Sequence, residues 1–196
     1  MKNTFLIALL LCASSAFAQG TGPANVVKTN PFGYFAGQYQ LGYERALTDN
    51  FSVQLQAGMI VGEGTMTLTD SSGTTDLFNI SRGGFILIPE ARYYPGGNAC
   101  EGFYLAASGR YRVGKLDFDA ENVYVRTALG GALTLGYQYN KDGMMVDFFV
   151  GPQFKTVDTV WGETFQSTID EEEENSLFGD SSGTGVRVGV SVGFGF

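Results

Sequence analysis

Charged side chains occur at alternate positions within otherwise apolar stretches of this 196-residue chain. Between Val123 and Tyr139, for example, the even positions include Arg126, Ala128 and Gly130, whereas most odd positions are Val, Leu or Tyr. Such alternation is typical of a β-strand with one apolar and one polar face. The same parity predicts one shared polar face that carries the candidate charge network: Glu44, Glu90, Arg92, Arg110, Arg112, Arg126, Asp147, Lys155 and Arg187.

Two groups are expected within this network. Glu44, Glu90, Arg92 and Asp147 lie a few residues from short turns, and the other cations lie towards longer connections, with Lys155 between the two groups. An isolated buried charge is costly, so these groups must be paired or hydrated. We therefore expect ion pairs that plug the interior, and a narrow passage or an anion site is the alternative.

Catalytic chemistry is not expected. The chain contains no histidine, which is the usual base that activates a hydroxyl nucleophile. Glu44 and Glu90 could exchange protons, but no positioned nucleophile accompanies them. The sequence predicts a protein that is not an enzyme and that uses no cofactor and no metal in its interior.

An acidic run forms a second candidate site in the longest connection. Carboxylates clustered in this way attract hard divalent cations, although most acidic runs are simply solvated. Its spacing does not match that of an EF-hand. Both interpretations stay open for Asp170, Glu171, Glu172, Glu173 and Glu174.

The elements that must position these residues are strands. Alternation predicts eight of them, at 26–34, 37–47, 50–62, 79–94, 102–115, 122–139, 144–160 and 183–196. Short turns alternate with longer connections at 63–78, 116–121 and 161–182, and a tight turn is expected at 34–36. This pattern predicts an all-β fold, an eight-stranded antiparallel up-and-down transmembrane β-barrel.

The two faces differ in a way that indicates which one is outside. The charged face is otherwise rich in Gly, Ala, Ser and Gln, which suits the crowded interior of a narrow barrel. In the last strand the opposite face reads Val186, Val188, Val190, Val192, Phe194 and Phe196. We expect that face to contact lipid, with aromatic residues near the short turns at headgroup level.

The first residues predict export from the cytoplasm. Lys2, an apolar run and Ala16-Phe17-Ala18 have the form of a signal peptide cleaved after Ala18. Residues 1–18 are then the signal peptide, and 19–196 form one outer-membrane β-barrel domain. Cys12 leaves with the signal peptide, so Cys100 has no internal disulfide partner.

Composition limits the partners. The chain carries 20 acidic and 12 basic residues, so nucleic acid is not an expected partner. The expected partners are outer-membrane lipid, lipopolysaccharide and the barrel assembly machinery, which would read the terminal Phe194 and Phe196 as an assembly signal. A monomer is expected, in the outer membrane of a Gram-negative-type cell.

The segment VKTNPFGYFAGQYQLGYERALTDNFSVQLQAG, Val27 to Gly58, resembles the opening of a family of small outer-membrane β-barrels known only as a domain of unknown function, DUF3575-like or OmpX-like. Pro31-Phe32-Gly33 departs from the apolar pair that usually follows TN in that family. The resemblance implies a barrel fold and an outer-membrane location, and it implies no catalytic residue.

The functional prediction is an integral outer-membrane barrel with a polar, side-chain-filled lumen and a structural or surface-interaction role. One alternative is a narrow pore or anion channel. A second is a soluble periplasmic barrel that binds a lipid.

Overall fold

A computed structural model describes residues 23–69, 75–118, 121–161 and 182–196. They form a closed barrel of eight antiparallel strands in which each strand pairs with the next and β8 pairs with β1. This confirms the predicted fold class. The strands are β1 Asn25–Thr29, β2 Gln38–Ala46, β3 Phe51–Thr69, β4 Thr75–Tyr93, β5 Gly102–Phe118, β6 Glu121–Lys141, β7 Met144–Trp161 and β8 Gly183–Gly195. The predicted signal peptide and the acidic run 170–174 lie outside the described residues.

The polar face of each strand points inward. In β4, for example, Ile86, Glu90 and Arg92 are buried, whereas Phe85 and Leu87 are exposed on the other face. The outer surface therefore consists of large apolar side chains, and the lumen contains the charged ones. In a soluble ligand-binding barrel the two faces would be reversed.

Aromatic pairs lie on this outer surface beside the short turns. The rings of Phe51 and Tyr93 are 5.0 Å apart, and those of Phe103 and Tyr137 are 4.7 Å apart. All four side chains are at least 40% exposed. They form part of an aromatic band at the turn end of the barrel.

The first strand differs from its prediction. Instead of a strand over 26–34, β1 ends at Thr29 and a short helix, α1, spans Pro31–Phe35. Asn30 caps this helix, because its side chain accepts a hydrogen bond from the backbone N–H of Gly33. Pro31 has no N–H for a strand ladder, but its fixed φ suits the first turn of a helix. In the part of the chain that the structure describes, no helix is long and apolar enough to cross a membrane.

Two predicted loops are largely strand. β3 and β4 stay paired as far as Thr69 and Thr75, where the sequence predicted a connection over 63–78. β5 and β6 pair as far as Phe118 and Glu121, where it predicted a connection over 116–121. In the first of these hairpins Thr65, Thr67 and Thr69 are β-branched and favour a strand although they are polar, so polarity alone was mistaken for a loop there.

The turn between β4 and β5, residues 94–101, closes one end of the barrel. Tyr94, Ala99 and Cys100 turn inward and are at most 5% exposed. They pack in one cluster with Tyr104 and Met145. We call this closed end of the lumen the floor.

Candidate functional site

Arg92 lies at the centre of the ion network on the floor. Its Nε donates to Glu90 Oε1 at 2.7 Å, and its Nη1 donates to Asp147 Oδ2 at 2.9 Å. Nη1 also lies 3.3 Å from Glu44 Oε2. The guanidinium stacks 4.3 Å from the ring centre of Tyr104. One buried cation thus joins the three carboxylates that the sequence predicted near the short turns.

Lys28 is a second cation in the floor network, and it is not among the residues predicted from the sequence. Its Nζ donates to Gln138 Oε1 at 2.9 Å and to Asp147 Oδ2 at 3.1 Å, and it also contacts Glu44. The signal was weak, since β1 has only five residues and Pro31 interrupts the alternation. A strand starting at Asn25 would have placed Val26 and Lys28 together on the inner face.

Two tyrosines complete the floor network. Tyr94 donates its hydroxyl to Glu44 Oε1 at 2.7 Å, and Tyr104 donates to Asp147 Oδ1 at 2.7 Å. Burial and the charge of Glu44 raise the pKa of Tyr94, in the turn outside the strands. Neither tyrosine was predicted as part of the network, although alternation places Tyr94 on the face of Arg92 and Tyr104 on the face of Arg110.

Arg187 joins the floor to the upper lumen, the half nearer the loop end. Its Nη1 lies 3.2 Å from Glu90 Oε2 and 2.6 Å from Ser108 Oγ. Its guanidinium also stands 4.9 Å from the ring centre of Phe149. The sequence placed Arg187 with the upper cations, and the structure turns its head group down towards the floor.

The charges of the floor balance. Its cations are Lys28, Arg92 and Arg187, and its carboxylates are Glu44, Glu90 and Asp147. Every carboxylate has at least two hydrogen-bonding or ionic partners, which is the condition under which buried charge is tolerated. The floor is therefore a neutral, tightly bonded plug.

The upper lumen contains the other predicted cations around a cavity of about 70 Å³. Arg110, Gly130 and Lys155 lie side by side in register on the adjacent strands β5, β6 and β7. Lys155 was predicted between the two groups of charges and instead lies level with Arg110. The charged or polar residues that line the cavity are Ser108, Arg110, Arg112, Gln153, Lys155 and Arg187. Arg126 lies nearer the loop end, level with Gly114 and Thr159.

The described residues offer little for catalysis or metal binding. No group of three or more acidic or cysteine side chains is placed to hold a metal ion within the four described ranges. The Ser108 hydroxyl contacts the Arg187 guanidinium, a cation that cannot act as its base. The Ser52 hydroxyl donates to Glu44, and both groups are buried in the floor, so the described arrangement chiefly offers cations that can bind anions.

The fold and site together define a closed, eight-stranded up-and-down barrel with an apolar outer surface and a charged lumen. No family model and no curated protein sequence matches the chain, so the resemblance to the family of unknown function stays a prediction. Two solved structures, CarO2 and CarO of Acinetobacter baumannii, are similar to it with sequence identities of 13% and 15% and TM-scores of 0.47 and 0.45. Each alignment covers 89% of this chain and 98% of the other. The fold assignment rests on the strand pairing of the chain itself.

Proposed function

We propose that the protein is an integral outer-membrane barrel whose lumen is sealed at the turn end, with a structural or surface-interaction role rather than a conducting or catalytic one. The observation that carries the proposal is the reversed polarity of the barrel. Charged side chains such as Arg92 and Asp147 are buried in the lumen, while outward residues such as Leu133 and Phe154 are more than 60% exposed.

Lipid is the environment that suits this outer surface. An exposed apolar surface that encircles a barrel is unfavourable in water, and pairing between neighbouring strands satisfies backbone groups without water. The aromatic pairs at the turn end suit a headgroup interface. A soluble lipid-binding barrel would need an apolar interior, whereas the interior observed here is charged.

The floor argues against conduction. Arg92, Tyr104 and Asp147 are at most 1% exposed, and they bond to one another across the lumen. An eight-stranded barrel is only wide enough for its side chains to fill it. An ion could pass only by breaking several buried charge-assisted bonds.

Two measurements test the proposal. Purified protein should need detergent to stay in solution and should show a heat-dependent shift in gel mobility, and a soluble, unshifted species would contradict the membrane assignment. In planar bilayers the wild type should give no stable conductance. A steady anion-selective current that is lost in Arg126→Ala would establish the pore alternative instead.

A further inference from the structure

We propose that the cavity in the upper lumen binds a phosphate-class oxyanion. Arg110, Arg112, Lys155 and Arg187 all line it, and its lining includes no carboxylate. Arginine and lysine bind phosphate through charge-assisted hydrogen bonds. Among the described residues this wall contributes four cations and no acid, and one of the cations, Arg187, also pairs with Glu90 below the cavity.

The floor accounts for one cation of this wall, because Glu90 pairs with Arg187. Arg187 completes the balance between the cations and carboxylates of the floor, so the carboxylates there are already matched. Among the polar atoms that line the cavity, the Nε of Arg110 is buried and has no hydrogen-bond partner in the described part of the chain. A bound oxyanion would supply an acceptor for this buried donor.

The size of the cavity fits such a ligand. At about 10–15 Å³ per water-sized position, its volume of about 70 Å³ has room for about five to seven such positions. A tetrahedral oxyanion needs four positions for its oxygen atoms. Gly130 lies between Arg110 and Lys155 in the wall and allows β6 and β7 to approach closely there, because a Cβ at this position would meet the backbone oxygen of Phe154 at 2.3 Å.

Two routes lead to the cavity. The first runs from the loop end, where the inward-facing Arg82 is exposed among the described residues. The second route is lateral, because β1 ends at Thr29 opposite Val192 and, among the described residues, β8 from Gly183 to Ser191 pairs only with β7. A free phosphate could enter by the first route and the phosphomonoester of a membrane lipid by the second.

Titration calorimetry on the full chain, folded in a non-ionic detergent, tests the proposal. One arm uses inorganic phosphate, and the other uses mixed micelles containing phosphatidic acid, with phosphatidylcholine micelles as the blank. We expect saturable binding of at least one probe. Arg110→Gln and Lys155→Gln should each weaken it about tenfold or more, whereas Lys141→Gln, which removes an exposed cation at the turn end, should not change it.

The pattern of binding identifies the source of the ligand. Binding of phosphate by the wild type indicates a soluble anion, and binding of phosphatidic acid alone indicates a lipid headgroup. Absence of heat with both probes, or binding that is equal in the wild type and in Arg110→Gln and Lys155→Gln, overturns the proposal. Heat-modifiable gel mobility shows that each variant is folded, and Arg110→Lys replaces Arg110→Gln if the latter fails that check. This inference goes beyond the proposed function, since a failure to bind anions would leave the sealed floor and the membrane assignment unchanged.

Discussion

Arg92 Nη1 lies 2.9 Å from Asp147 Oδ2, so a guanidinium on β4 binds a carboxylate on β7 across the lumen. These strands are not neighbours in the barrel wall. The contact therefore ties together two sides of the barrel that backbone hydrogen bonds do not join. Its position below the anion cavity also makes it part of the seal.

Arg92→Met should destabilise the barrel by about 3–5 kcal/mol, because it leaves the buried carboxylates of Glu90 and Asp147 short of a partner. Urea unfolding in lipid vesicles, followed by gel mobility, measures the change. Arg82→Met is the matched control, since Arg82 lies on the same strand and is exposed. It should change stability by less than about 0.5 kcal/mol. Equal effects of the two substitutions would show that the floor network contributes nothing specific.

Gly136→Ala should destabilise the barrel by about 1–3 kcal/mol. A Cβ at Gly136 would overlap the ring of Tyr104 and push it away from Asp147. Gly114→Ala is the control, because a Cβ there meets nothing within 4 Å. Thermal unfolding of both variants in the same detergent makes the comparison, and a loss of stability in Gly114→Ala as large as in Gly136→Ala would contradict the packing explanation.

Variants of Phe196 can distinguish the role of its backbone in barrel closure from the role of its side chain. Its backbone N–H and C=O exchange hydrogen bonds of 2.8 and 3.0 Å with Asn25, while its side chain is 63% exposed. Deletion of Phe196 should weaken closure in the purified protein. Phe196→Ala should keep these bonds and change the free energy of unfolding by less than about 1 kcal/mol.

In cells, both Phe196 variants should yield less heat-modifiable barrel in the outer-membrane fraction, because both remove the aromatic group expected to act as the assembly signal. Normal amounts of the Phe196→Ala barrel in that fraction would show that the assembly machinery does not recognise the aromatic ring.

Cys100 should resist alkylation by N-ethylmaleimide in the folded barrel and react fully in urea. It lies in the turn between β4 and β5, where burial and the nearby Glu44 raise the pKa of its thiol above the ordinary value of 9.0. The reactive thiolate is therefore disfavoured in the folded state. Rapid labelling of the native protein at neutral pH would contradict the closed floor.

The raised pKa of the Cys100 thiol also predicts how the stability of the barrel changes at alkaline pH. The folded state favours the protonated thiol. The contribution of this thiol to the free energy of unfolding is therefore fully present below pH 9.0 and is lost as the pH rises above that value. Cys100→Ala should show a smaller alkaline loss of stability than the wild type. The measurement is the urea midpoint as a function of pH.

Much of the barrel could be predicted because alternation is a local property. In the strand predicted at 122–139, apolar and polar residues alternate, so the sequence shows which residues share a face. The observed strand is only slightly longer, from Glu121 to Lys141. The first strand was wrong after Thr29, because Asn30 and Pro31 favour a capped helix over a ladder. The hairpin of β3 and β4 was predicted too short, since the polar residues Glu63, Thr65 and Thr67 favour a loop by composition.

The sequence by itself determined the number of strands, the polarity of each face and the residue types in the lumen, because each follows from the order of side chains along a strand. Only the tertiary structure decided which charges meet. Lys28, Glu44 and Asp147 come from β1, β2 and β7, and their contact depends on the closure of the sheet and on strand register. Tyr94 and Cys100 belong to the floor for the same reason, since the turn that carries them packs against residues of other strands such as Val26 and Met145.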